Sequence, residues 1–366
     1  MASHETTEAA RSSRDLALRW SVGIGVGVLF TWLAARSWPV DKLFGGSLEW
    51  APEFAATLQL RGGEGLVSWS LSLGHLLAYA GILTLIHGWR VLRWLPLVRP
   101  FAPVPLAVLN RIGAVGFMGV FLLPLRLGEL VRPTLLARDG GVPFGTGLSM
   151  IAVERISDGL MVTLMLFGVL LTVPETALER SPEVRQGAYA ALTVFGSAMI
   201  GLVLTAVARN FTKRLLEVTV GRLSGQLASR IHGLLTTFID GLRVLGSPGA
   251  IASFVLLTAG YWLTNGFGIW VMARGLGLEV PVTAGYAMMC CVVVGMMIPN
   301  SPGNVGSFWY FLLLPMGLYA IDADSPRAIA FALLVWLAQL LQTSLFGAWG
   351  TWARGRARVA AHPARG

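Results

Sequence analysis

The sequence predicts an all-α fold, a polytopic transmembrane helical bundle, on three observations. Of 366 residues, 55% are hydrophobic and only 13% are charged. Several stretches near 20 residues carry no charge, enough to cross a hydrocarbon core of about 30 Å. Two longer apolar stretches are interrupted midway by Pro and Gly, which end helices and permit tight backbone turns.

In chain order, residues 1–16 form a polar N-terminal tail of mixed charge. The apolar run 17–36 exceeds a signal-peptide core of about 7–15 residues and is expected to be a retained first span. Further spans are expected near 66–87, 148–172, 188–208, 249–273 and 328–350. The stretches 107–147 and 284–321 are each long enough for two helices. The first breaks at Pro124 to Pro133, the second at Pro299, Asn300, Ser301, Pro302, Gly303, Asn304, Val305 and Gly306. The longest polar connection, 209–247, is amphipathic and much shorter than a soluble domain of ~100 residues, so activity is expected inside the bundle.

Loop cations assign the sides of the membrane. Inside candidates are Arg11, Arg14 and Arg19; Arg90, Arg93 and Arg99; Arg209, Lys213, Arg214, Arg222, Arg230 and Arg243; and Arg354, Arg356, Arg358 and Arg365. Outside candidates are poorer in cations and carry acids: Asp41, Glu49 and Glu53; Glu175, Glu179 and Glu183; Asp322 and Asp324. These agree with one another only if each broken stretch starts and ends on one side, as a re-entrant or fully spanning hairpin. Residues 17–172 and 188–350 then repeat the order span, span, hairpin, span from opposite faces, separated by an external loop at 173–187 and followed by a basic tail at 351–366. Inverted repeats with broken helices recur in transporters, because exchanging the roles of the halves exposes one site alternately to each side. The competing arrangement is a bundle of simple spans with Pro kinks.

Composition narrows the chemistry. The net charge of +9 comes largely from arginines beside the spans, where positive-inside bias and attraction to anionic headgroups account for it, so no nucleic-acid partner is expected. Cys290 and Cys291 are adjacent and apolar in context, reading as small core residues. The lysines, Lys42 and Lys213, lie in no Gly-rich phosphate loop, which excludes a Walker-type ATPase. No His-Glu-x-x-His, nucleophile elbow or Cys/His cluster appears, and His75 and His87 read as interfacial or satisfied buried histidines. Neither a metal nor a cofactor is expected.

The candidate site residues lie at and after the breaks. Pro124, Arg126, Gly128, Glu129, Arg132 and Pro133 place three charges in a Pro-bounded turn. Charges and irregular backbone persist at membrane depth only against protein or a water-filled cavity; the alternative is an interfacial turn whose arginines snorkel to headgroups. Glu154, Arg155 and Asp158 follow in an otherwise uncharged run, Glu154 and Asp158 one turn apart on one helical face. They either tie the hairpin to its neighbour or leave arginines free to hold a phosphate, a task suited to the planar guanidinium. At the second break, Pro302, Gly303, Asn304 and Gly306 offer backbone amides to an anion, or form a plain kink.

The first motif, with Glu154, Arg155 and Asp158 about twenty residues after it, resembles the flippase-like membrane domain of the lysyl-phosphatidylglycerol synthase family. The Pro299, Pro302, Gly303, Gly306 stretch is similar to that family's second motif. Asn304 stands where the pattern has a second Gly and Trp309 where it has Glu, which argues against carrying over aminoacyl-lipid specificity. The resemblance implies the stand-alone form, without a soluble transferase domain, and movement of lipids or lipid-linked groups between leaflets.

The expectation is a multi-pass inner (plasma) membrane lipid translocase, N- and C-termini cytoplasmic, more transporter than enzyme. Its substrate partner would be an anionic phospholipid, an aminoacylated phospholipid or a polyprenyl-phosphate lipid. Arg126 and Arg132 would bind the phosphate, with Glu129, Glu154 and Asp158 positioning them or coupling to protons. The alternatives are a membrane-embedded transferase on lipid-linked substrates, or an accessory subunit of a separate lipid-modifying enzyme. A homo-oligomer is compatible with either.

Overall fold

A computed structural model describes residues 20–36, 38, 47–50, 57–61, 69–208, 210–212, 214, 218, 226–297 and 301–361. The expectations for the tail 1–16, Arg19, Asp41, Lys42, Glu53, Arg209, Lys213, Arg222, Pro299, Asn300 and Arg365 fall outside them. The bundle is all-α. It begins with α1 (Trp20–Ala35). Three short antiparallel strands follow, β1 (Ser47–Trp50), β2 (Thr57–Arg61) and β3 (Trp69–Ser72), in the order β1-β2-β3. The span expected at 66–87 therefore starts later, as α2 (Leu73–Leu92). Before Leu73 the sequence Trp69, Ser70, Leu71, Ser72 alternates apolar and polar with the two-residue period of a strand.

The first broken stretch comprises α3 (Leu95–Val98), α4 (Leu106–Leu122), a 3₁₀ turn at Pro124–Leu130 and α5 (Val131–Gly140). Then come α6 (Phe144–Leu170), the short α7 (Glu175–Arg180) and α8 (Pro182–Val207). The amphipathic segment contributes α9 (Gln226–Gly241), followed by α10 (Pro248–Gly275). The second broken stretch is α11 (Val282–Gly295), a 3₁₀ turn at Pro302–Asn304, α12 (Ser307–Leu313) and a 3₁₀ turn at Leu314–Tyr319. The closing helix is α13 (Pro326–Ala361). At 10 and 7 residues, α5 and α12 fall well short of the ~20 residues that span a bilayer.

Among the described residues three helices are long and apolar enough to cross a membrane, Pro182–Val207, Pro248–Gly275 and Pro326–Ala357. Helix α6 is as long, at 27 residues, but carries Glu154, Arg155 and Asp158 near its middle. Helix α10 packs on α2 and α11, α13 lies along α4, and α6 contacts α8, α9 and α11. Two apolar clusters result. One gathers Met272, Ala287, Met288 and Phe331; the other gathers Leu97, Ile112, Leu136 and Met150. Trp262 belongs to the first and Trp94 to the second, and each indole donates to one of the buried carboxylates of α6. The charged network sits where the clusters meet.

The first break is held by absent side chains. A Cβ on Gly128 would come within 1.9 Å of the Gly119 carbonyl carbon, so the turn lies directly on the α4 backbone. A Cβ on Gly116 would come within 2.1 Å of Arg132 Cγ, which makes that glycine the channel through which the arginine stem enters the core.

Candidate functional site: an arginine-walled cavity

Glu154 and Asp158 are fully buried on α6, one turn apart. A buried carboxylate is tolerated only when paired and hydrogen-bonded, and both are. Arg93, just past the end of α2, donates through Nη1 to Asp158 Oδ1 (2.5 Å) and through Nη2 to Asp158 Oδ2 (3.0 Å) and Glu154 Oε1. Arg132 Nη1 donates to Glu154 Oε2 at 2.7 Å. Arg155 Nη2 reaches Glu154 Oε1 at 2.5 Å and Asp158 Oδ2 at 3.1 Å. The indole N–H of Trp94 donates to Glu154 Oε2 (2.6 Å) and that of Trp262 to Asp158 Oδ1 (2.9 Å). Aromatic faces cover the cations: Arg132 lies 4.7 Å from the Trp94 ring centre and 4.8 Å from that of Phe117, and Arg93 lies 4.5 Å from Tyr261.

Beside this network is a cavity of about 120 Å³. Among the described residues its wall includes Arg90, Arg93, Arg126, Arg132 and Arg155 and no acidic residue. Glu154 and Asp158 stand behind the arginines. Asn265, Gln339 and Thr343 supply neutral polar groups, and Met289, Met296 and Met297 a soft apolar side. Such a wall attracts an anion and disfavours a cation.

The two breaks meet at this cavity, since the 3₁₀ turn Pro124–Leu130 touches the 3₁₀ turn Pro302–Asn304. Among the described residues the non-glycine positions with positive φ are Arg126 (58°), Asn304 (55°) and Ala320 (56°). The first two lie one in each break, and both line the cavity. A side chain in the left-handed region costs of order 1–3 kcal/mol, and such strain clusters at functional sites. Asn tolerates that region better than most residues. Arg126 Nη1 donates to Met297 Sδ across the two breaks at 3.2 Å, and its Nε lies 3.3 Å from Glu129 Oε1.

The structure thus brings Arg126, Arg132, Arg155 and Asn304 to one wall, with Glu154 and Asp158 behind it. Glu129 is paired with Arg126 off that wall. Gly303 is turned into the fold, its carbonyl accepting from Trp336 Nε1 at 2.7 Å. Gly306, at φ 79°, backs onto α1, where a Cβ would come within 2.3 Å of Thr31 N. Pro302 lines an apolar groove against α1 rather than the cavity. The Asn304 amide donates to Ser301 O at 3.0 Å, inside the turn.

Arg93 corrects the charge reading. It is not a loop cation facing water; it is 1% exposed and bound to both carboxylates. Hydropathy and charge counts place a cation at a helix end without seeing a partner 61 residues away. Arg90, read as a loop cation like Arg93, lines the cavity instead, and Tyr261 and Trp262 escaped the sequence reading. The arginine-aromatic cluster Trp89, Arg90, Arg93, Trp94 was the available signal.

A family model described as the lysylphosphatidylglycerol synthase TM region matches residues 20–347, most of the chain. The chain belongs to this family. Among curated proteins it is 26% identical over 215 residues to Glycosyltransferase AglD of Haloferax volcanii, a match covering 52% of this chain and 34% of that protein. The chain therefore spans about a third of that relative's length. No solved structure matches. Membership of the lysylphosphatidylglycerol synthase TM family makes this bundle a membrane domain related to lipid modification. Trp309 lies between Trp38 (5.9 Å, tilted) and Trp336 (5.4 Å, edge-on), so an aromatic cluster occupies this position.

Proposed function

We propose that the protein is a lipid translocase that moves an anionic phospholipid, an aminoacylated phospholipid or a polyprenyl-phosphate-linked lipid between leaflets without an ATPase of its own. The observation that carries this reading is the cavity walled by five arginines and no acid, set between two broken helices. A headgroup phosphate entering it replaces its water shell with preoriented guanidinium donors, while the acyl chains stay in lipid. Helices α5 and α12, too short to span, support re-entrant hairpins. The paired strain at Arg126 and Asn304 supports an inverted repeat whose halves meet at the site. In that arrangement the halves exchange roles and open the cavity to each leaflet in turn.

The test is leaflet exchange of fluorescent lipids in proteoliposomes holding the purified protein, with phosphatidylglycerol, an aminoacylated form and a polyprenyl phosphate compared. Headgroup-selective exchange that is lost in Arg126→Ala is the expected result. Wild-type exchange in that variant removes Arg126 from the site, and no exchange with any lipid overturns translocation.

Similarity to a glycosyltransferase favours one second reading, a membrane domain that presents a lipid-linked substrate to transferase chemistry. Product mass separates the two, because a translocase leaves the lipid's mass unchanged.

A further inference from the structure

Taking the arginine-walled cavity as the headgroup site, we infer that it selects a lipid ending in a phosphomonoester dianion, and that Arg90 is a principal ligand of that dianion together with Arg126.

Charge balance singles out the dianion. Five guanidiniums line the cavity, from Arg90, Arg93, Arg126, Arg132 and Arg155. The carboxylates in ion-pair contact with them are Glu129, Glu154 and Asp158. Five cations against three anions leave two positive charges at the site. A phosphodiester such as phosphatidylglycerol supplies one negative charge and leaves a unit of positive charge uncompensated in the bundle. A phosphomonoester above its second pKa of ~6 supplies close to two. An aminoacylated headgroup adds an ammonium to a wall that already holds five cations and no acid.

The surplus is also localised. Arg93 and Arg155 each pair with both Glu154 and Asp158, and Arg132 pairs with Glu154, although each of the three leaves its buried Nε without a hydrogen-bond partner. Among the described residues Arg126 has one ion-pair partner, its neighbour Glu129, at 3.3 Å through Nε, and turns Nη1 to a thioether, a weak acceptor. Arg90, in the last turn of α2, makes no ion pair among the described residues. Its Nε donates to the neutral Tyr261 hydroxyl at 3.2 Å, and its guanidinium lies 4.9 Å from the Phe117 ring centre and 5.4 Å from that of Tyr261. Two aromatic rings and a phenol fix the plane of this cation at the cavity wall, where its remaining N–H groups suit the two-pronged geometry of a phosphate. The nearest titratable neighbour on α2 is His87, one turn away and bonded to Asn110 at 2.8 Å.

Binding of short-chain phosphatidate and short-chain phosphatidylglycerol to the purified full chain tests this by calorimetry at about pH 8 and about pH 5, either side of the monoester's ~6 pKa. The ratio of the two affinities is the readout, so any titration of the protein itself, including His87, acts on both ligands. Phosphatidate is expected to bind about tenfold or more tighter at the higher pH, a value between the roughly fivefold of one added charge pair at about 4 Å in bulk water and the roughly thousandfold of the same pair at an effective dielectric of ~20. The ratio should fall to about threefold or less at the lower pH, where the monoester carries one charge. Arg90→Gln should erase most of the preference, and Arg90→Lys, which keeps the charge, should retain it.

Equal affinities at the higher pH overturn the selectivity, as does absence of binding by either lipid. An unchanged preference in folded Arg90→Gln removes Arg90 as a ligand. If that variant does not fold, loss of preference in Arg90→Lys overturns the charge-based selection and its retention supports it. Inorganic phosphate competing at concentrations comparable to phosphatidate would assign the site to free phosphate rather than a lipid. Exchange of phosphatidylglycerol without dianion preference leaves translocation standing and removes the selectivity. Preference without exchange of any lipid does the reverse.

Discussion

Glu154 accepts from Arg93, Arg132, Arg155 and Trp94, so one carboxylate ties the centre of the network together. Removing one member of a buried ionic network costs ~3–5 kcal/mol, because the partners stay buried and uncompensated. Glu154→Gln is expected to lower the thermal stability of the detergent-solubilised protein by that order. Arg126 should behave in the opposite way. Its backbone sits at φ 58°, a conformation glycine adopts without penalty. Arg126→Gly is therefore expected to leave melting unchanged or raise it slightly, while leaflet exchange is lost. A stabilised but inactive variant would mark the strain at Arg126 as serving function, and a strongly destabilised one would mark Arg126 as structural.

The positions of both breaks were legible in the sequence, because Pro and Gly act locally and their effect needs no partner. Pro124 opens the first 3₁₀ turn and Pro302 the second. The pairing of Arg132 with Glu154 was half legible, since a charged run in an apolar helix demands a partner, yet Arg93 binds both carboxylates from 61 and 65 residues away. The sheet at 47–72 was missed because the strands are short and the hydropathy of β3 continues into α2. What periodicity cannot report is close approach between backbones, and the first break depends on it. Gly128→Ala places a Cβ 1.9 Å from the carbonyl carbon of Gly119, where backbone has to shift. Overpacking of this kind costs about 1–3 kcal/mol or more. The variant is expected to melt earlier and to lose exchange together. Gly233→Ala, on α9 with nothing within 4 Å of the added methyl, is the control and should change neither.

At the scale of the molecule, loops assigned to one side by their charges also touch one another. Arg354 of the C-terminal helix bonds Asp139 at the end of α5 (2.6 Å), and Arg243 bonds the Pro100 carbonyl (3.0 Å), joining inside candidates to the inside connection before α4. At the other side α7 rests on the turn Leu314–Tyr319, and a Cβ on Gly317 would come within 2.7 Å of Ser181 Oγ, joining the two acid-bearing connections. The inverted arrangement proposed above is testable through the sidedness of these connections. In a background with Cys290 and Cys291 replaced by Ala, Gly246→Cys and Asp322→Cys place single thiols at exposed positions in connections of opposite assignment. A membrane-impermeant maleimide applied to intact cells is expected to label Asp322→Cys at once and Gly246→Cys only after permeabilisation. The reverse pattern would turn the protein over without disturbing the inverted arrangement. Labelling of both from one side would abolish it, because the two broken helices would then enter from the same face and the cavity could not be offered alternately to each leaflet.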